Sequence, residues 1–514
     1  MRNLPYFFLI IFLVLSSHFD FCNHMNSAHI HISPKSQSWM IITGLIECLV
    51  YAESPFDSDE DMIFEPDDET HLDDVTNDSL FDDDAIFDDD AAIGDEFSVQ
   101  EKENKRRDYL WYGNQLLKDS RFTLGYEFSN NLVMKPSFVT HDTYLRTEIQ
   151  TLLLDTLFFQ FDGRMNCYFD NDHRTQAHNK SILTNTHLRE LFFQYGFDQF
   201  NITIGRQIVV WGKADTQVIT DVVSPRDNTD FIFIKLENAR FGQFMLSSDI
   251  YTQWGNLFIF ISPKPLTDRE PDKGTQYYID IPGMDQVITT EDKLTYADTE
   301  YGIRWKQNLG KIDLSLMAGY FFDNVYIYHS SDIDFIKKKL IFEKKYHSYE
   351  MIGMATSYVS GAYLFKIEAA FKNRLSFQTA DIEKLEIDAI QKDIVDFGFG
   401  IDYNANGRYQ ISGEISNRFI CGSTQDILFT NNNSTALYTT FSKNFYNETL
   451  SFEYIFFYHI QEQNNFHQFH LTHDITDNFQ MISSCTFFSI KDKESLLWFY
   501  RNEDRLSVEF RYYF

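Results

Sequence analysis

The sequence predicts an all-β chain: a transmembrane antiparallel β-barrel of about 18 strands, about 16 being the nearest alternative, behind a disordered acidic N-terminal segment. Three observations predict it. From residue 121 onward, apolar and polar residues alternate with period two in segments about ten residues long, enough for a tilted strand to cross a bilayer. The connections between segments are alternately short and long, and the chain stops on an alternating aromatic segment that ends at Phe514.

The elements follow in chain order. Residues 1–52 read as a leader with a secretory signal peptide. An apolar run covers Leu4–Leu15, and a second, Trp39–Ala52, follows Lys35. Each is shorter than the roughly 20 residues a membrane helix needs. The basic residue, the apolar run and the small-residue ending predict cleavage after Ala52, with Met25 as an alternative start. An uncleaved anchor at the first run is the competing expectation. Cleavage after Ala52 leaves Cys167, Cys421 and Cys485, an odd number, and so at least one free thiol.

Residues 53–107 form the acidic segment. Glu53 to Glu96 holds 20 Asp/Glu and no Lys or Arg, which leaves 76 − 20 = 56 acidic against 44 basic side chains elsewhere. Like charges at that density repel, and little apolar surface offsets the cost of ordering. The segment is expected to be disordered and periplasmic. Asp57, Asp59 and Asp61 begin like a calcium loop, but Met62 stands where the turn needs Gly. With no dominant basic face, nucleic-acid binding is excluded.

Residues 108–514 are the predicted barrel. Its strands are expected at 121–129, 141–153, 156–168, 186–196, 200–210, 240–252, 256–263, 296–307, 311–323, 348–359, 361–373, 393–403, 408–418, 435–444, 448–460, 465–474, 478–489 and 504–514. Phe365, Ile367, Ala369 and Phe371 oppose Lys366, Glu368 and Lys372. Leu314, Leu316, Ala318 and Tyr320 oppose Asp313, Ser315 and Gly319. The backbone finds no hydrogen-bond partner in lipid, so such strands must pair and the sheet must close. The last segment sets Leu506, Val508, Phe510, Tyr512 and Phe514 against Ser507, Glu509 and Arg511. It resembles the assembly signal of Gram-negative outer-membrane proteins, with Phe510, Tyr512 and Phe514 as its expected readable side chains.

One segment stands apart. Gly205-Arg206-Gln207-Ile208-Val209-Val210-Trp211-Gly212 is followed by Lys213, Asp215, Asp221 and the turn Ser224-Pro225-Arg226-Asp227. It resembles a porin-like family of Gram-negative outer-membrane proteins of unknown function, which carries G-R-Q-x-V-x-W-G and then an N-P-x-D or S-P-x-D turn. The resemblance implies an outer-membrane barrel and no particular solute. Two readings apply to loop 211–239. Arg206, Lys213, Asp215, Asp221, Arg226 and Asp227 either line a pore constriction or brace the loop by pairing, and both can hold together. Gly205, Gln207, Trp211, Gly212 and Pro225 are expected to be structural, with Trp211 anchored at the membrane interface in the bracing reading.

No metal site or cofactor is expected. His467, His470 and His473 cannot share a metal on a strand, because His470 faces away from the other two. The phosphate-loop, zinc-hydrolase and G-x-S-x-G signatures are absent, so the chain is not expected to be an enzyme. The leading expectation is an outer-membrane channel for small polar solutes. A closed barrel acting as a surface adhesin is the alternative, and an outer-membrane lipid hydrolase a weaker one. Expected partners are outer-membrane lipids, lipopolysaccharide and the barrel-assembly machinery, reached through the terminal strand.

Overall fold

Period-two alternation over long segments builds a sheet that closes on itself. The computed structural model describes residues 120–514, except 134–137, 154–155, 215–217, 234–235, 280–286, 335–338, 382–385, 406, 425–426, 429 and 494. The leader, the acidic segment and Asp215 lie outside the described residues.

The strands are β1 (Ser120–Asn131), β2 (Phe138–Leu153), β3 (Leu157–Tyr168), β4 (Leu183–Gly196), β5 (Asn201–Gln207), β6 (Gln243–Thr252), β7 (Gly255–Ser262), β8 (Val287–Glu291), β9 (Glu300–Asn308), β10 (Ile312–Phe322) and β11 (Ile327–Asp334). They continue as β12 (Lys339–Lys345), β13 (Ser348–Ser360), β14 (Tyr363–Asp381), β15 (Glu386–Asn404), β16 (Gln410–Ile420), β17 (Asn433–Phe445), β18 (Leu450–His459), β19 (Asn464–Thr476), β20 (Phe479–Ser489) and β21 (Arg505–Tyr513).

Eighteen of them form one sheet. Each pairs antiparallel with its neighbour along the chain. β21 returns to β1 in register from Thr123↔Tyr513 to Asn131↔Arg505, which closes the barrel. Each of the eighteen predicted segments falls on one of these strands. The short connections lie on the side where β1 begins and β21 ends; the long ones lie opposite.

Three departures from the expected pattern matter. β5 stops at Gln207, not 210, because the chain leaves the wall there. β14 and β15 run on as a hairpin paired to Asp381↔Glu386, where a loop was expected. β8, β11 and β12 form a separate three-stranded sheet inside the expected loops 264–295 and 324–347, with β8 parallel to β12.

The outer face is apolar and uncovered. Leu191, Phe193, Ile202, Ile204, Leu246, Ile261, Ile303, Leu316 and Ile415 are all exposed. So broad an apolar band on a closed barrel is a lipid-facing surface. Toward the short turns it becomes aromatic. Ring contacts link Tyr358, Phe365, Tyr363, Tyr403, Tyr409, Phe441 and Phe452 across six neighbouring strands. That run is a membrane-interface girdle. On the terminal strand, Phe510 stacks on Phe479, and Tyr512 meets Phe514 edge-on. His467 and His470 bond Tyr454 and Ser484 on opposite faces, and no metal-holding cluster occurs among the described residues.

Candidate functional site

The third long connection, 208–242 (L3 below), leaves the top of β5 and turns into the lumen. Gly205 makes the departure possible. Its φ is +135°, and a Cβ there would stand 2.3 Å from the Leu191 carbonyl. Only glycine takes that conformation and that contact without strain. Beyond β5, the Ile208 N–H donates to Glu190 Oε1 (3.0 Å) and the Val209 N–H to Ser224 Oγ (2.7 Å). The Ser224 hydroxyl in turn donates to the Val209 carbonyl (3.1 Å). Ser224 thus serves one residue as both donor and acceptor, a role that an asparagine amide also has the groups to fill.

L3 then packs against the inner wall. Val209, Trp211, Ile219, Val222 and Val223 join Met245, Phe258, Phe260, Met317, Phe321, Met351 and Ile394 in one buried apolar cluster. Trp211 is 3% exposed and meets Phe260 and Phe321 edge-on. It is a core residue inside the barrel, which corrects its expected place at the membrane interface. Its indole needs a large apolar partner, and this side of the lumen supplies one. Burying each such side chain stabilises by roughly 1.5–3 kcal/mol. The wall makes room with glycines. A Cβ at Gly302 would stand 2.7 Å from Trp211, at Gly353 2.7 Å from Thr220, and at Gly398 2.7 Å from Ile219.

Polar ties lock this arm in place. Glu368 of β14 is 3% exposed. Its Oε2 accepts from the N–H groups of Lys213 (2.7 Å) and Ala214 (2.9 Å). Its Oε1 accepts from the Thr220 N–H (2.7 Å) and hydroxyl (2.6 Å). One carboxylate thereby holds both ends of a turn, with charge-assisted bonds. Gly212 fits beneath it, since a Cβ there would lie 3.0 Å from Glu368 Oε1. Arg304 of β9 donates to the Val210 carbonyl (2.9 Å), and Lys372 of β14 to that of Val218 (3.3 Å). Lys213 Nζ donates to Ser357 Oγ (2.9 Å).

The remaining motif residues hold the other arm. Asp221 Oδ2 accepts from Arg226 (2.8 Å) and from Arg240 (3.0 and 2.8 Å), a triad in which Asp221 and Arg240 are buried and Arg226 is partly exposed. The Phe241 N–H donates to the Pro225 carbonyl (3.0 Å), drawing the two arms of L3 together. The Arg226 N–H donates to Asp268 Oδ1 (2.8 Å), and Arg269 pairs with Asp227 (3.2 Å). Burial pushes the Asp268 carboxyl up to about 6 against the hydrogen bond it accepts. Gln207 takes the Ser247 hydroxyl (2.7 Å) and donates to the Met245 carbonyl (3.1 Å). Arg206 stands apart. Its register neighbours Leu191 and Phe244 are exposed on the outer face, and its guanidinium lies over Phe241. Of the six charged candidates, Lys213, Asp221, Arg226 and Asp227 come together with L3, and Arg206 does not.

Sequence reasoning missed Glu368, Arg304, Lys372 and Arg240. The signal that points to the site lies in β10. Met317 and Phe321 occupy its polar face, and both are buried inside the barrel, at 3% and 0% exposure.

Across the lumen, the wall of β21 and β1–β4 is charged. Arg146 pairs with Asp162 (2.8 Å) and Glu148 (2.9 Å), Arg189 with Asp162 (3.0 Å), and Arg511 with Glu509 (2.7 Å). L3 therefore fills one side of the barrel interior and faces a polar wall on the other. Chemically, that arrangement sets fixed, paired charges on the wall that L3 faces.

No family model matches the chain, and no curated protein matches it. Solved barrels do. OccAB3 of Acinetobacter baumannii is 11% identical, with 77% of this chain and 98% of that one covered at a TM-score of 0.43. The outer membrane protein OpdK of Pseudomonas aeruginosa is 8% identical, with 77% and 98% covered and a TM-score of 0.44. OccK8 (OprE) of the same organism is 9% identical over the same shares at 0.44. The likeness is one of fold.

Proposed function

We propose that the chain is a porin-like channel of the Gram-negative outer membrane that passes small polar solutes, with L3 as its constriction. The observation that carries this reading is the position of L3. A loop clamped inside the lumen by a buried carboxylate of the wall is built to stay there, and it opposes a wall lined with fixed charge. Solute selection by opposed charges at a narrowing is a common pore device. The role is not an enzymatic one. The outer belt would meet membrane lipid and lipopolysaccharide. The terminal strand, through Phe510, Tyr512 and Phe514, would engage the barrel-assembly machinery.

Planar-bilayer recording on the refolded full chain tests the reading. Discrete conductance steps are expected, with an ion preference that shifts on Lys213→Gln or Arg226→Gln. Silence from protein shown to be folded by its heat-modifiable gel mobility overturns it. For the terminal strand, removal of Phe514 is expected to slow assembly in cells while leaving the melting of the assembled barrel nearly unchanged, since that side chain is 63% exposed.

A further inference from the structure

A cavity lies away from the apolar core of L3, at the mouth of the barrel on the side of the long connections. Its volume is about 100 Å³. Tyr168 and His187 of the wall line it with His173, Thr229, Arg269 and Thr275 of the long connections. His173 opens the short helix α1 (His173–His178), whose cap is Asp172.

Two imidazoles in this cavity have fixed tautomers. His173 is 5% exposed, and its Nδ1 accepts the Gln276 N–H (3.1 Å). Its proton therefore sits on Nε2, which finds no hydrogen-bond acceptor. The nearest carboxylate oxygen, Asp230 Oδ1, is 3.9 Å away and is bonded by Arg174. His187 Nδ1 accepts from the Arg269 guanidinium, so its proton also sits on Nε2. A buried donor left without an acceptor is costly, so such a group marks a place for a ligand.

The acidic groups around the cavity each have a partner. Asp230 is matched by Arg174 and Asp227 by Arg269. Glu270 and Asp272 also line the cavity; Glu270 takes the Tyr326 hydroxyl (2.7 Å), and Asp272 lies 3.5 Å from His178. Burial lowers the His173 pKa to about 3, and Arg174 and Arg505 push it the same way while Asp230 opposes them. The ring thus stays neutral, a donor through Nε2–H. A single water needs roughly 10–15 Å³ of such space, so the cavity admits a solute of several heavy atoms.

We propose that this cavity binds a small oxyanion, a carboxylate or a phosphate, through the Nε2–H groups of His173 and His187 and the guanidinium of Arg269. The site stands on its own geometry, independent of whether the barrel conducts.

Isothermal titration of the detergent-solubilised full chain with inorganic phosphate, and separately with acetate, tests it without any current being measured. One saturable site is expected. His173→Phe keeps a ring against Tyr277 and removes the donor, so it should weaken binding by about tenfold or more. Arg269→Gln should weaken it in parallel. Binding of phosphate alone assigns an anion with several oxygens, and binding of both probes assigns a general oxyanion site. Absence of saturable binding for either probe overturns the proposal. So does unchanged affinity in folded H173F and R269Q. A silent bilayer beside intact anion binding would remove the channel reading and leave this one standing.

Discussion

The two halves of the inner wall obey different rules. From β6 to β16, under L3, inward positions carry Met245, Phe258, Phe260, Met317, Phe321, Met351, Ala355, Ala370 and Ile394, all buried. From β21 through β4, inward positions carry Glu509, Arg511, Arg146, Asp162 and Arg189, joined in short ion pairs. One half carries a close-packed apolar cluster, crossed by Glu368 and by the buried pair of Lys372 with Asp396 (2.9 Å). The other is a wall of paired charges, in which Asp162 is buried and Arg146, Glu148 and Arg511 are partly exposed. Under the proposed channel function, the passage runs against the charged half. L3 serves as the partition.

The strongest way to break this comparison is to unlock the partition. Glu368→Ala leaves the N–H groups of Lys213, Ala214 and Thr220 without their acceptor. Bonds to a charged acceptor contribute about 1.5–3 kcal/mol each, with only part recovered by water, so a loss of about 3 kcal/mol in loop stability is expected. Amide exchange at 213, 214 and 220 should accelerate and conductance should rise. Glu368→Gln keeps one acceptor oxygen and should fall between the two. If exchange and conductance stay at wild-type values in E368A, L3 is not a clamped partition.

A wedge in the apolar half comes second. Gly398→Val places methyl groups where Ile219 Cδ1 already stands 2.7 Å from a Cβ position. Overpacking of this kind costs about 1–3 kcal/mol. Gly413 on β16 offers the control. It shares the outward register of Ile411 and Ile415, with nothing within 4 Å of its Cβ position. Gly413→Val should therefore leave both melting and conductance unchanged. Equal effects at both glycines would mean that the inner face is no more crowded than the outer.

The wall of the barrel was legible in the sequence; its interior was not. Each of the eighteen predicted strands is present because alternation reports which face meets lipid, and lipid imposes one rule on all of them. Inward positions answer instead to whatever L3 brings, and L3 is matched to strands far along the chain. The bonds from Glu368 to Lys213 and Thr220 span about 150 residues, and no local pattern encodes a partner that distant. Arg240 completes the Asp221 triad just as invisibly, from the far arm of the loop. The motif residues marked the place where the chain leaves the wall, because Gly205 and Gly212 are local necessities. Met317 and Phe321 were a sequence-level sign of what the loop meets, two large apolar residues on a face that alternation reserves for polar ones. The extra strands β8, β11 and β12 were hidden for another reason. They pair in an external sheet outside the main barrel, where no bilayer enforces a length or a period.

The charged half responds to charge more than to volume. Arg146→Gln removes the guanidinium that holds Asp162 (2.8 Å) and Glu148 (2.9 Å), leaving Arg189 as the partner of Asp162. Net negative charge then rises along the passage, and the cation-to-anion permeability ratio should increase by about twofold at low salt, less at high salt where screening shortens the field. The same charge change on the outer rim, Arg206→Gln, should leave the ratio unchanged. A shift of equal size at both positions would remove the distinction between a passage wall and an outer wall.

The smallest expected effect concerns the loops that cover the mouth. Burial pushes the Glu503 carboxyl up to about 7 against its bonds from Gln276 and Asn131, and raises the Asp172 carboxyl to about 6 against Arg174 and two backbone N–H bonds. A carboxyl whose folded pKa exceeds its unfolded value of roughly 4–4.5 favours the folded state most while protonated. That contribution is complete below about pH 4, declines as the pH rises, and is gone above about pH 7. The mouth loops around Asp172 and Glu503 should therefore exchange their amides more slowly at pH 5 than at pH 8, after correction for the intrinsic rate. Amides at 213, 214 and 220, on the inner partition, should show no such trend over the same interval, because they bond Glu368 of β14 and neither of the two loop carboxyls. In Glu503→Gln the pH trend should shrink around Gln276 and persist around Asp172. A trend that is instead uniform from mouth to partition would trace the pH response to the barrel as a whole and not to its two loop carboxyls.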